Sequence, residues 1–393
     1  MKQYIWLNET ERSLALSAQP SVSAVNFYRG RLPRDELRTR IGNLLATNAW
    51  LAGRLVLTPK LAVAYNEKPK QSALGIHFKY VDQNVLSTRD PYATICRHLE
   101  THKYLVPIGL SCISQNVPLF LVTVLYNVRL DESALVVSIS HTLADGHAFY
   151  MLMESLDLTT LVPQFIVARP PGFYQEGLDL MGENLQWLTA AKGTFGILTR
   201  LATSVASKDP QKSFLKSVDS DWINSQKDLH STAESWVSTN DILTSWCMTK
   251  EQKPFSVMIV DLRGRCKSAP MNLFGNFEAP LIFRDGDYES PKLIRKSLKT
   301  HQRMGNKHPG SPSWRQAANL DMNIVTNWSS FYYDLAFDRC QLICHYPIYL
   351  SHSPIFTATM VIFRPRKDKL AILGFSSTAV HDGPAIDFKQ ISA

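Results

Sequence analysis

His141-Thr142-Leu143-Ala144-Asp145-Gly146 follows the strand-like run Leu135-Val136-Val137-Ser138-Ile139-Ser140 and precedes a helix-like run from His147 to Leu156. A histidine at a strand end, with an acid four residues on and a glycine behind it, is placed to act as a held general base. Neutral imidazole accepts a proton near pH 7, which few other side chains do. Taken alone, the spacing is short enough to arise by chance, and a histidine near a strand end is more often structural. The segments around it therefore carry the decision.

Outward from this stretch, helix and strand patterns alternate. Pro33 precedes Asp35 and Glu36, which suits a helix start: proline is tolerated in the first turn and carboxylates favour that end of the dipole. Leu37, Ile41, Leu44 and Leu45 then fall on one face. Strand-like runs follow at Arg54–Leu57, Leu119–Leu125 and Leu135–Ser140, with helices near Tyr92–His102 and after Gly146. This predicts an α/β domain over residues 1–175, closing near the break Arg169-Pro170-Pro171-Gly172. Residues 176–215 read as a long crossover helix and linker. Leu185, Leu188, Leu198, Leu201, Ala202 and Val205 supply its apolar positions, and Gly193 and Gly196 weaken it. The polar run Ser207-Lys208-Asp209-Pro210-Gln211-Lys212 ends it. A membrane-surface helix is the lesser alternative, because the polar face is not strongly basic. Residues 216–393 repeat the α/β pattern. Ser238 to Asp241 opens a helix through Ile242, Leu243, Trp246 and Cys247, with Asp241 placed to reach back as in a capping box. Strand-like runs follow at Phe255–Val260, Pro280–Phe283, Phe356–Phe363 and Leu370–Leu373.

The 393 residues, 45% hydrophobic and 19% charged, suffice for about two or three domains and argue against extended disorder. The net charge of +8 raises the question of nucleic acid. The bases are scattered, however, and the densest stretch spreads Arg295, Lys296, Lys299, Arg303 and Lys307 along a solvated helix face. No nucleic-acid partner is expected; the mild positive field suits an anionic substrate or cofactor such as coenzyme A. No run approaches the ~18 apolar residues of a membrane span, and Met1–Glu9 lacks the apolar core of a signal peptide. A cytoplasmic location with reduced thiols is the expectation for the six dispersed cysteines. Cys340, Cys344 and His345 lie close together without a second ligand pair, so no metal site is expected. His381-Asp382-Gly383 lacks a following helix and reads as a turn. His147 reads as a residue that packs or faces solvent.

Four further segments stand in the order found in one superfamily. Leu51-Ala52-Gly53-Arg54-Leu55 follows the first helix. Ser238 to Trp246 opens the second α/β region. Val260-Asp261-Leu262-Arg263-Gly264-Arg265 is followed by Leu273-Phe274-Gly275-Asn276, and Thr326-Asn327-Trp328 comes later. With His141–Gly146 as an HxxxDG motif, the chain resembles the acyltransferases related to chloramphenicol acetyltransferase, and among them the BAHD acyl-CoA-dependent enzymes. The resemblance spans about residue 40 to residue 365. Where BAHD members carry Asp-Phe-Gly-Trp-Gly, the nearest match is Ala336-Phe337-Asp338-Arg339-Cys340, in which only the phenylalanine agrees. Ser140 stands where peptide-synthetase condensation domains carry a further histidine.

The resemblance implies an α/β fold of two chloramphenicol-acetyltransferase-like domains, each a mixed β-sheet flanked by helices, with the active-site channel between them. His141 would be the general base, acting without an acyl-enzyme. Asp145 would point away from the channel and pair with Arg263 as a structural latch, and Gly146 would let the chain turn close behind the loop. Thr326 would hold the oxyanion, Trp328 would wall the channel or donate through its indole nitrogen, and Asn276 would support the cleft. Ser238, Thr239, Arg265 and Lys267 would meet the phosphates of coenzyme A. The chain would be a monomer with no tightly bound cofactor, using acyl-CoA as co-substrate and a small metabolite as acceptor. Two alternatives keep the fold: a donor presented on a carrier protein, and a non-catalytic relative that only binds a ligand.

Overall fold

Strand β7 (Glu132–Ile139), which leads into His141, is buried along its whole length. The computed structural model describes residues 1–69, 72–182, 184, 190–206, 212–232, 235–304, 313–349, 355–376 and 385–387. In it, β7 is the middle strand of a five-stranded sheet. It pairs antiparallel with β2 (Val22–Arg29) and β6 (Phe120–Asn127), while β5 (Phe78–Val81) lies parallel to β6. A strand covered on both faces reads as a continuous apolar run, which is why this part of the chain stood out. The sheet's other edge is β12 (Gln341–Pro347), antiparallel to β2. A strand from residues 216–393 thus completes the sheet of residues 1–175, and sheet membership does not follow that boundary.

The second sheet has seven strands in the order β10 (Glu278–Phe283), β9 (Phe255–Asp261), β11 (Met322–Asn327), β13 (Ala358–Arg366), β14 (Lys369–Ser376), β8 (Lys212–Val218) and β15 (Ala385–Asp387). β11 runs parallel to both β9 and β13. Its two faces follow from the period of two along a strand. Met258, Val260, Met360, Ile362 and Ile372 pack with Leu243, Cys247 and Ile294 of the helices Thr239–Glu251 and Pro291–Thr300. Val361, Phe363, Ala371, Leu373 and Phe375 point the other way and join the core of the first sheet. A three-stranded sheet of β1 (Lys2–Trp6), β4 (Leu61–Asn66) and β3 (Arg54–Leu57) flanks it.

Every strand-like run named from the sequence contains a strand; β2, β11 and β12 are among the strands that were not anticipated. All three carry polar residues at buried positions: those on β2 and β12 bond distant partners, while the Asn323 side chain on β11 has no hydrogen-bond partner among the described residues. His345 on β12 accepts or donates at both ring nitrogens, to Asn26 Oδ1 at 2.6 Å and to the Tyr150 hydroxyl at 2.7 Å. Burial holds its pKa down to about 3. His345 is thus part of the packing between β2, β12 and the helix Gly146–Glu154. Phe337, the surviving residue of the altered motif, sits edge-on to Tyr28 at 5.3 Å in the turn that feeds β12.

Among the described residues, the expected crossover helix is represented by two helical stretches separated at Gly182. Phe173–Met181 starts directly after Gly172 and closes at Gly182, whose φ of +55° suits glycine. Ala191–Ala206 follows. Leu185, Leu188, the polar residues 207–211 and His381 to Gly383 lie outside the described residues. Among the described residues, no helix is long and apolar enough to cross a membrane. Gly196 is more than a weak point in its helix. A Cβ there would stand 2.7 Å from the Ala317 carbonyl oxygen of the helix Trp314–Ala318.

Glycine to alanine in an exposed helix gains about 1 kcal/mol, but here the methyl meets backbone, and overpacking typically costs about 1–3 kcal/mol. Gly196→Ala is therefore expected to lower the thermal midpoint. A raised midpoint would show that the two helices separate freely.

Candidate active site

Asp145 is the N-cap of the helix Gly146–Glu154, accepting the Ala148 N–H at 2.9 Å. The same carboxylate receives Arg263 at both oxygens, at 2.8 and 3.2 Å, and the Phe277 N–H at 2.9 Å. Arg263 is 2% exposed. Its remaining N–H groups go to Asp261 Oδ1 at 3.0 Å, to the Leu273 carbonyl at 2.9 Å and to the Gly275 carbonyl at 2.8 Å. All five guanidinium donors are therefore used. Burial works against the Arg263 charge, yet Asp145 and Asp261 outweigh it and raise the pKa. The Asp145 carboxylate is engaged throughout by this network, although the residue borders the larger cavity, and it both caps a helix and ties the two halves of the chain.

The loop that Arg263 grips carries Asn276, whose Oδ1 lies 3.3 Å from His141 Nδ1. With Nδ1 donating to Asn276, the lone pair of His141 sits on Nε2, the atom a general base must present. Burial lowers the His141 pKa, outweighing its own backbone, Asp145 and Asn276, which act in the opposite direction. A second buried pair holds the far side of the loop. Glu11, fully buried, accepts Arg169 Nε at 2.7 Å and the Asn276 N–H at 3.1 Å. Gly275 is required here because a Cβ would meet the Arg169 guanidinium at 2.8 Å.

Two cavities meet beside His141. The larger, about 930 Å³, is lined by Gly146, His147, Ser238, Thr239, Asn240 and Arg265 among others. The smaller, about 130 Å³, is lined by His141 and by apolar side chains including Leu16, Val22, Ile259 and Phe356. Gly146, Glu278, Thr326 and Trp328 border both. Trp328 Nε1 donates to Thr326 Oγ1 at 3.1 Å, which leaves the threonine hydroxyl proton free to point into the channel. Gly146 does not adopt a left-handed turn. Its need is space, since a Cβ would lie 3.0 Å from Trp328 Nε1.

The other sequence-named residues divide. Thr239 lines the larger cavity at a helix N-terminus. Ser238 lines it too, but its hydroxyl is engaged with Asp241 in the capping box. Arg265 lines it while donating to the Asp261 carbonyl at 2.6 Å. Lys267 is exposed and borders neither cavity, so the structure does not bring it to the site. His147, read as packing or solvent-facing, instead bonds Asp261 Oδ2 at 2.8 Å on the cavity wall. Sequence reasoning missed Glu278 and Glu11. The one signal for Glu278 was a carboxylate opening an otherwise apolar strand.

No protein-family model and no curated protein matches the chain. Solved structures do. The first condensation domain of the CDA synthetase superposes with a TM-score of 0.60 at 11% identity, covering 97% of this chain and 92% of that one. TRI101 of F. sporotrichioides, solved with coenzyme A and T-2, gives 0.57 at 12% identity, with 95% of each chain covered. Polyketide synthase associated protein 5 from Mycobacterium tuberculosis gives 0.56 at 14% identity, covering 98% and 95%. These likenesses show the fold, the chloramphenicol-acetyltransferase-like arrangement anticipated from the sequence.

Removing one partner of a buried ion pair typically costs about 3–5 kcal/mol. Asp145→Ala is expected to lower stability by that order in urea denaturation, and with it the yield of folded protein. A variant with a normal denaturation midpoint but abolished turnover would contradict the latch role.

Proposed function

We propose that this chain is an acyltransferase that moves an acyl group from a thioester, acyl-CoA in the first instance, to a hydroxyl or amine of a small metabolite. The observation that carries the reading is the meeting of two cavities at Gly146, Thr326 and Trp328, with His141 on the wall of the smaller one, which gives donor and acceptor separate approaches to the junction beside one base. Coenzyme A enters as a co-substrate and leaves as a product, and no tightly bound cofactor takes part. The larger cavity suits it: Thr239 heads a helix, whose N-terminal N–H groups favour anions, and Arg265 and Lys227 add positive charge. The smaller cavity suits the acceptor.

In the reaction, His141 Nε2 takes the proton of the acceptor nucleophile as it attacks the thioester carbonyl carbon. The Thr326 hydroxyl donates to the resulting oxyanion, as such charge requires. Collapse breaks the carbon–sulfur bond, and the proton on His141 passes to the departing thiolate. No bond forms between enzyme and acyl group. Trp328 fixes the Thr326 hydroxyl by occupying its lone pair, and Asn276 fixes the imidazole.

A carrier-protein donor is the second reading, supported by the likeness to a synthetase condensation domain. Parallel assays with acyl-CoA and an acyl-carrier protein separate the two donors. Wild type inactive with both, over a broad acceptor panel, would favour a ligand-binding protein.

General bases contribute about 10²–10⁴-fold, so His141→Ala is expected to lose that much turnover, measured by release of free coenzyme A, with unchanged stability. Thr326→Val is expected to reduce kcat by about 10²–10³-fold if its hydroxyl meets the oxyanion. Because burial lowers the His141 pKa from 6.5, the base stays neutral through that pH. The acid limb of kcat/KM is expected below pH 6.5; a limb centred above it would assign the base elsewhere.

A further inference from the structure

Glu278 opens β10 opposite Asp261 on β9, so the two side chains share a face of the second sheet. It borders both cavities at their junction, and it is the one carboxyl among the described residues lining the smaller one. Among the described residues its carboxyl makes no hydrogen bond and no ion pair. The charged groups around it are Asp145 at the head of its helix, Asp261 on β9 and Arg263 in the turn that follows. Arg263 has no donor left for it, since its five N–H groups serve Asp145, Asp261 and two carbonyls. His147 serves Asp261, His141 faces Asn276, and Arg265, on the larger cavity with Glu278, donates to the Asp261 carbonyl. Three carboxyl groups thus lie around one guanidinium, and among the described residues no cation bonds the Glu278 carboxyl.

We propose that Glu278 recognises the acceptor, selecting one that carries an ammonium group on a short apolar body. The ammonium supplies that cation, and the apolar body lies against Leu16, Val22, Ile259 and Phe356. Without such a cation the carboxyl keeps its proton: burial raises its pKa well above 4.5, and Asp145 and Asp261 raise it further against Arg263. Binding is therefore an exchange. The neutral acid gives its proton to solvent, and the carboxylate pairs with the ammonium. A neutral alcohol of the same shape gains no such partner. The term acceptor rests on the acyl-transfer reading, but the binding does not require it.

The test uses n-hexylamine and n-hexanol without any acyl donor, with calorimetry in buffers of different ionisation enthalpy. At about pH 7, hexylammonium is expected to bind wild type with release of about one proton per molecule, because the neutral acid must ionise. It is also expected to bind at least roughly tenfold more tightly than hexanol, the equivalent of a one-unit shift in pKa. Glu278→Gln should lose both the proton release and the preference, and Glu278→Ala should do the same, with thermal midpoints checking that each variant is folded. Equal binding of the two probes, no binding of hexylamine to wild type, amine binding without proton release, or retained preference in either folded variant would overturn the proposal. Failure of acyl transfer with intact amine selectivity would instead count against the function proposed above and leave this inference standing.

Discussion

The Arg263 guanidinium is the constraint on which the site depends. It is buried, its five donors are all engaged, and its partners belong to three separate pieces of chain: the loop ending at Asp145, the turn at Asp261 and the segment from Leu273 to Gly275. A buried charge without partners is costly, so this geometry is one of few the chain can adopt there. Because Asp145 also caps the helix behind His141, the pair fixes the start of that helix and the end of β7 together. The imidazole inherits its position from both. Glu11 and Arg169 hold the same segment from its other side, so the residue facing His141 lies between two buried ion pairs.

This division of labour separates charge that builds from charge that is left available. Asp145, Glu11, Arg169 and Arg263 are satisfied by one another and by backbone groups, and of these four only Asp145 borders a cavity. His141, Thr326 and Glu278 face the cavities. Trp328 stands between the two sets: it packs near Phe149 and Tyr150 of the helix, and its one polar atom is directed at the Thr326 hydroxyl. Gly146 makes that approach possible, so the glycine and the tryptophan act as one fitted pair across the two halves of the chain.

Much of this was legible in the sequence because it is local. The strand before His141, the cap at Asp145 and the capping box at Ser238 and Asp241 are each written within a few consecutive residues. Arg263 could be named as the mate of Asp145 only through the order of segments shared with a known superfamily. What was not legible depends on long-range pairing. β2 and β12 hide their apolar pattern behind Asn26 and His345, whose burial makes sense only with their neighbours in place, and β11 hides its own behind the buried Asn323. Glu278 drew no notice in the sequence, and only the register with Asp261 and the cavity lining bring it to the channel. Gly196 read as a helix weakness, and only packing shows it as a contact. The case of Lys267 has the same origin: it lies two residues from Arg265 in sequence, yet only Arg265 borders a cavity.

β12 has a consequence for how the chain comes together during synthesis. The first sheet has β2, β7 and their neighbours available once residue 139 has been made, but its last strand begins at Gln341. At a ribosomal rate of about 5–20 residues per second, that interval is roughly 10–40 s. Throughout it, β2 presents an unpaired row of backbone donors and acceptors, the kind of edge that recruits other chains. The nascent protein is therefore most vulnerable to mispairing, and most in need of a chaperone, after His141 has been made and before the strand that shields its sheet exists.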